Sequence, residues 1–213
     1  MKAPDFCAET TFGTLQLSDF KDNWIVLFSH PGDFTPVCTT EFIAFAEQYP
    51  QFTQRNVQLI GLSIDSTPSH LAWVQSIYEI SNINIPFPII ADRDGSIASL
   101  YGMIAPEVTT KETVRNVYII DPEQIIRCIL IYPLTTGRCI GEILRIIKAL
   151  QTSDQCHVAT PANWEPGDPV INPTPKTIQE VMKRVSNSER LGLDCKSWYL
   201  CFKENHPNRY GGR

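Results

Sequence analysis

Residues Trp24 to Glu41 read WIVLFSHPGDFTPVCTTE, and the fold hangs on them. Trp24 to Phe28 is a short apolar run rich in branched and aromatic side chains, which predicts a buried strand. Ser29 to Phe34 carries Pro, Gly and Asp together, the chemistry of a loop. Thr35-Pro36 then predicts a helix start, because Thr suits the N-cap and Pro the first helical position. On that register Cys38 is the third helical residue. Its sulfur faces backbone N–H groups without intrahelical partners and the positive end of the helix dipole, and both favour a thiolate. Thr35, three residues earlier, brings a hydroxyl to the same spot, and Pro31 stiffens the loop and removes an N–H. Thr35 also occupies the place where a C-x-x-C pair would need its first cysteine. Spacing alone leaves two readings of Cys38 open, a reactive thiol and a helix-start cysteine without chemistry.

Working outward, Phe42, Phe45, Ala46 and Tyr49 follow at helical spacing, and Pro50 predicts the end of that helix. Val57 to Ile64 predicts a second buried strand, and Ser66-Thr67-Pro68 starts a second helix carrying Leu71, Trp73, Val74, Ile77 and Tyr78. Pro86 to Ile90 reads as extended, and a short helix covers Ile97 to Tyr101. Val114–Ile120 and Ile125–Tyr132 flank Asp121-Pro122-Glu123-Gln124, which predicts an antiparallel hairpin. Ile140, Ile143, Leu144, Ile147 and Leu150 trace one helical face. Strands alternating with helices, followed by a hairpin, predict an α/β chain with a central mixed sheet flanked by helices. Five prolines between Pro161 and Pro175 mark a boundary that is neither helix nor central strand. A short helix over Thr177 to Val185 and an irregular tail ending Gly211-Gly212-Arg213 complete the expectation.

The chain has 213 residues, 43% apolar and 19% charged, enough to bury a core. A net charge of −5 argues against a general nucleic-acid coat. No apolar run is long enough for a membrane span, and the first residues lack the apolar core of a signal peptide. The expectation is a cytoplasmic protein. Residues 176–213 hold eight Lys/Arg against four Asp/Glu, whereas the preceding residues are acidic on balance. That is either a solvated tail or a basic arm that docks on an acidic body. The seven cysteines, Cys7, Cys38, Cys128, Cys139, Cys156, Cys195 and Cys201, cannot all pair within one chain. Cys195 and Cys201 with His206 are too loosely spaced to predict a metal site, and His70 and His157 lack companions at ligand spacing. No cofactor or metal is predicted.

The stretch Phe28 to Glu41 resembles the peroxidatic-cysteine signature of peroxiredoxins, P-x-x-x-T-x-x-C. Further matches are His70-Leu-Ala-Trp73, Pro86-Phe-Pro-Ile-Ile90, Thr113-Val-Arg115, Tyr132-Pro-Leu-Thr-Thr-Gly-Arg138 and Ala159-Thr-Pro-Ala-Asn-Trp164. Together they resemble the one-Cys-type subfamily over nearly the whole chain. The resemblance implies a thioredoxin-like peroxidase domain over 1–153 and a C-terminal extension and arm over 154–213. It implies that Cys38 attacks a peroxide and becomes a sulfenic acid. Thr35 then hydrogen-bonds peroxide and thiolate, Pro31 screens the sulfur from water, and Arg115 stabilises thiolate and stretched bond. Arg138 lends electrostatic support, Glu41 holds an arginine in place, and His30 matches a family position without an assigned role. A non-enzymatic peroxide sensor or redox-regulated chaperone would keep the same cysteine.

The tail departs from one-Cys members. Asp194-Cys-Lys-Ser-Trp-Tyr-Leu-Cys201-Phe202 resembles the C-terminal arm of archaeal-type peroxiredoxins, in which the second of two cysteines resolves the sulfenic acid. This implies an intermolecular Cys38–Cys201 disulfide reduced by a thioredoxin-like or other thiol donor, with Cys195 as second choice or as a shuttle. An arm-internal disulfide is the competing reading. A homo-oligomer built from dimers, such as a decameric ring, is implied as well.

Overall fold

The computed structural model describes residues 1–105, 107 and 112–204; His206 and the last residues of the tail lie outside them. The chain forms two compact units, Met1–Ile140 and Gly141–Arg213. This division falls at the start of a helix, ahead of the expected boundary after residue 153.

The first unit holds a sheet of seven strands: β1 (Cys7–Thr10), β2 (Gly13–Gln16), β3 (Trp24–Ser29), β4 (Val57–Ser63), β5 (Ile89–Ala91), β6 (Arg115–Ile120) and β7 (Ile126–Tyr132), in the order β2-β1-β5-β4-β3-β6-β7. β3, β4 and β5 run parallel, while β6 and β7 form the antiparallel hairpin read from the sequence. The fold is a thioredoxin-like mixed sheet flanked by helices. The β1–β2 hairpin is an addition to the expectation; its strands are four residues each and show no clear alternation.

Every residue of β3 is buried, so both faces of the sheet are covered at this strand. Ile25 and Leu27 join Leu17, Ile60, Leu62, Ile90, Tyr118 and Ile120 in one core layer. That layer also takes in Ile97 and Ala98 of α3 (Ser96–Leu100). Phe28 points the other way, stacked on Phe45 with ring centres 4.3 Å apart and edge-on to Phe42 at 5.4 Å. Phe42 and Phe45 belong to α1 (Pro36–Thr53), and Trp73, 4.6 Å from Phe42, belongs to α2 (Thr67–Ser81). This aromatic layer holds the two helices on the sheet, burying about 150–250 Å² per ring. It needs a small residue beneath it. A Cβ at Gly61 of β4 would lie 3.2 Å from the Phe42 ring. Pro50 does not end α1, contrary to expectation: it sits inside the last turn, and Thr53 closes the helix.

The second unit contains α4 (Ile140–Cys156, apart from its first residue), α5 (Ile178–Asn187) and a sheet of β8 (Val170–Ile171), β9 (Asp194–Ser197) and β10 (Leu200–Lys203), ordered β8-β10-β9. Val158, Trp164 and Val170 form its buried cluster, with Ala149 and Cys156 packed against it. The Trp164 indole donates to the Asp168 carbonyl at 3.1 Å, so its polar edge is satisfied. The tail is therefore not irregular: its described part carries a hairpin. Among the described residues no helix is long and apolar enough to cross a membrane.

Candidate active site

The end of β3, the start of α1 and the start of β6 meet at one end of the sheet because β6 runs antiparallel beside β3. Thr35 is the N-cap of α1 and Pro36 its first residue, so Cys38 is the third, as read from the sequence. The Thr35 hydroxyl does not cap the helix. It donates instead to the Gly32 carbonyl at 2.9 Å, which leaves its lone pairs free to accept. Pro31 is buried in the loop between β3 and α1. Cys38 is fully buried.

Arg115, the first residue of β6, reaches the sulfur: its Nη1 lies 3.3 Å from Cys38 Sγ. The same nitrogen donates to Glu41 Oε2 at 2.7 Å, while Nε and Nη2 both donate to the Leu134 carbonyl, at 3.0 and 2.9 Å. Glu41, one turn after Cys38, holds not one arginine but two. Arg138 gives its backbone N–H and Nε to Oε1, at 2.8 and 2.9 Å, and Nη2 to Oε2 at 2.7 Å. Its Nη1 reaches the carbonyls of Ser29 and Asn116, and the guanidinium lies 5.1 Å from the Phe28 ring centre. Burial pushes the Arg138 guanidinium pKa down, opposed by Glu41. With both arginines charged, the buried trio of one carboxylate and two guanidiniums carries a net charge of +1. An anion at Cys38 brings it to zero.

His30 and His70 meet around Asp33, a grouping that the sequence did not reveal. His30 Nε2 lies 3.0 Å from Asp33 Oδ1, and His70 Nδ1 lies 2.9 Å from Oδ2. Ser69 Oγ donates to Oδ2 at 2.8 Å, and Asp65 Oδ2 takes the Asp33 backbone N–H at 3.0 Å. Both imidazoles are fully buried, and His30 is stacked on Trp73. His70 thus has a companion after all, Asp33, 37 residues away in sequence. Burial opposes ionisation of Asp33, but its hydrogen bonds to the two histidines prevail and hold the carboxyl well below the usual range. Burial lowers the His30 pKa from 6.5, with Asp33 opposing. Neutral His30 must donate from Nε2, because a carboxylate only accepts, and its Nδ1 is then a buried lone pair without a partner. The ligand-type atoms of His30, Asp33 and His70 lie within 4.8 Å of one another, the right chemistry for a metal, yet they hydrogen-bond each other. The network ties the loop before α1 to the start of α2.

Beside Thr35 lies an apolar crease of about 320 Å³, lined by Phe34, Pro36, Trp73, Ile77 and Ile80 among others. Within the second unit, Cys195 and Cys201 form a disulfide. The arm-internal pairing is thus the one this single chain makes, whereas the expected Cys38–Cys201 bond is one between subunits. The reason is register, since Cys195 and Cys201 face each other across the β9–β10 pair.

Residues 1–129 match the AhpC/TSA family, and residues 149–185 match the C-terminal domain of 1-Cys peroxiredoxin. Peroxiredoxin 2 of Caldanaerobacter subterraneus subsp. tengcongensis is 61% identical over 202 residues, covering 95% of this chain and 90% of its own. Among solved structures, a yeast mitochondrial 1-Cys peroxiredoxin superposes with a TM-score of 0.84 at 42% identity, covering 96% of this chain and 98% of its own. Peroxiredoxin 6 of Arenicola marina gives 0.86 at 35% identity, with 97% of each chain covered.

Proposed function

The chain belongs to the peroxiredoxin family of thiol peroxidases, and on that footing we propose that it is a cytoplasmic enzyme reducing hydrogen peroxide and organic hydroperoxides through Cys38. The thiolate attacks the terminal peroxide oxygen, the O–O bond breaks, alcohol or water leaves, and Cys38 becomes a sulfenic acid. Cys201 of a second subunit then condenses with it, releasing water, and a thioredoxin-like dithiol reduces the product. One observation carries this reading: a buried trio with a net positive charge directs an Arg115 N–H at the one fully buried sulfur of an α1 first turn. A thiolate in that place balances the charge, and the same donor stays on hand for the negative charge that develops on the departing oxygen. Thr35, with its hydrogen spent on Gly32, accepts from the hydroperoxide O–H and so orients it. The crease beside Thr35 supports the inclusion of hydroperoxides with an apolar tail.

A dimer-based homo-oligomer is supported by the open edge of β7, where Ile129 and Ile131 are 42% and 68% exposed. The test of the function is peroxide consumption with a dithiol reductant in excess. Wild type should turn over many equivalents, and Cys38→Ser, nearly isosteric, should keep the fold and consume none. A single stoichiometric oxidation of wild type would favour a sensor or chaperone, and undiminished consumption by Cys38→Ser would overturn the reading.

A further inference from the structure

The hydrogen bonds around Asp33 do not close with neutral imidazoles. His70 meets acceptors with both ring nitrogens: Nδ1 lies 3.0 and 2.9 Å from the two Asp33 oxygens, and Nε2 lies 3.2 Å from the Ile90 carbonyl. A neutral imidazole has one N–H, so it satisfies one of these partners and sets a lone pair against the other. Asp33, held well below the usual carboxylate range, does not supply the missing hydrogen. Both contacts are met only when a positive centre stands between Nδ1 and Asp33, either a second proton or a metal ion. A second carboxylate is close by: Asp65 Oδ2 accepts from the Asp33 backbone N–H and from the Ser63 hydroxyl, at 3.0 and 2.8 Å. With neutral imidazoles the cluster therefore carries two negative charges. A proton on His70 leaves one of them, and a divalent cation leaves none.

The donor set fits such a cation. His30 Nε2, His70 Nδ1 and an Asp33 oxygen lie within 4.8 Å of one another, and both imidazoles are fully buried. Two imidazoles with one carboxylate suit zinc and its neighbours, whereas magnesium and calcium prefer oxygen alone. The outer partners are in place as well. His70 presents Nε2–H to a backbone carbonyl, the usual way a ligating imidazole is oriented, and the Asp33 backbone is held by Asp65. On His30, ligation through Nε2 moves the hydrogen to Nδ1, an atom without a partner in either form. Bonds of about 2.0–2.1 Å put tetrahedral ligand atoms about 3.3 Å apart. The N–O contacts of 3.0 and 2.9 Å then open by a few tenths of an ångström, and the two nitrogens draw together. We propose that His30, Asp33 and His70 form a structural site for a divalent transition-metal ion of the zinc type, with Ser69 Oγ, 2.8 Å from the carboxylate, in reach as the fourth ligand. The ion displaces the second proton of His70 to solvent. It clamps the loop that carries Pro31 to the start of α2 and takes no part in the reaction at Cys38.

The test uses the full chain, stripped with a chelator and titrated with cobalt(II), whose spectrum reports its ligands. Wild type should bind one equivalent and show the visible bands of a four-coordinate nitrogen–oxygen site, without the strong near-ultraviolet bands of cobalt–thiolate bonding. Cys38→Ser should match wild type, and His70→Gln should lose the bands. Zinc at 100 times its dissociation constant should raise the melting temperature of wild type and Cys38→Ser by about 5–11 °C and leave His70→Gln unmoved. Should His70→Gln fail to fold, zinc-edge X-ray absorption of wild type decides. Imidazole nitrogen and oxygen at about 2.0–2.1 Å support the site; sulfur at about 2.3 Å puts the ion on cysteines, such as the exposed Cys7 or Cys139, and overturns it. Cobalt bands that persist in His70→Gln overturn it too, and so does a wild-type melting temperature that zinc does not move. None of these outcomes bears on peroxide consumption, so the reading of Cys38 stands or falls separately.

Discussion

Replacing Glu41 with Gln tests the charge trio most directly. The carboxylate side chain is 2% exposed and accepts from Arg115 Nη1 and from three N–H groups of Arg138. Oε1 and Oε2 each take two of these donors. An amide fits the space, but whichever way it turns, its NH2 faces two donors. Two buried guanidiniums then lack their counter-ion. Breaking a buried ion pair from one side costs about 3–5 kcal/mol. For a chain of this length that lowers the melting temperature by about 6–20 °C, at roughly 2–4 °C per kcal/mol. Arg115 Nη1 is shared between Glu41 and Cys38 Sγ, so its release should also slow single-turnover oxidation, by about 10²- to 10³-fold, the usual loss for one preorganised donor. Chemical denaturation gives the first number and stopped-flow tryptophan fluorescence the second. Arg138→Met removes the other partner, and the double variant should be at least ~1 kcal/mol more stable than additivity predicts. A Glu41→Gln protein within about 1 kcal/mol of wild type, or losses that simply add in the double variant, would refute the argument.

Three other outcomes are expected. Thr35→Val keeps the shape at the N-cap but loses the oriented lone pairs, and should slow oxidation of Cys38 by about 10²-fold for about 1 kcal/mol of stability, by stopped flow and urea titration. Gly61→Ala drives a Cβ to 3.2 Å from Phe42 and should cost about 1–3 kcal/mol in urea denaturation with little change in oxidation rate once folded. The third concerns pH. The His30 pKa is lower in the folded state than its ordinary 6.5, so the unfolded chain binds the proton first. Its stability contribution is present above about pH 6.5 and is lost as pH falls, at up to about 1.4 kcal/mol per pH unit. Asp33, depressed from 3.8, holds its contribution to far lower pH, so the window just below pH 6.5 reports His30. His30→Asn should flatten that slope; an unchanged slope would show that His30 is not the group that titrates.

The parts of the site that lie close along the chain are legible from local residue chemistry alone. Thr35-Pro36 sets the helix register, and with it the third-residue position of Cys38 and the one-turn spacing to Glu41. The β6–β7 hairpin is legible too, because Asp121 to Gln124 is a turn by composition and the runs beside it are apolar. Arg115 and Arg138 come only with the family motif, since nothing local tells a strand-start arginine from a solvated one. What escapes is made by distant pairing. Asp33 and His70 are 37 residues apart and meet only because β3 and β4 are parallel neighbours that deliver their loops to one end of the sheet. His70 and Trp73, one turn apart on α2, carry a hint: a polar ring and an indole on the same helical face. The β9–β10 hairpin escapes because Asp194, Lys196 and Ser197 dilute any apolar alternation. The Cys195–Cys201 pairing depends on that hairpin.

Zero net charge in the buried trio plus thiolate has a consequence once the sulfur reacts. On the proposed chemistry Cys38 reacts as a thiolate and the sulfenic acid is neutral, so the first half-reaction removes the one anion that matched the second guanidinium. The pocket is left with a surplus positive charge in a water-poor interior, an electrostatic load that the unreacted protein does not bear. Relief comes from letting water in, and the first turn of α1 is the nearest part that can give way, since its leading N–H groups have no partners within the helix. On this account oxidation itself would work as the latch release: the bond made to oxygen would undo the charge balance around the buried sulfur.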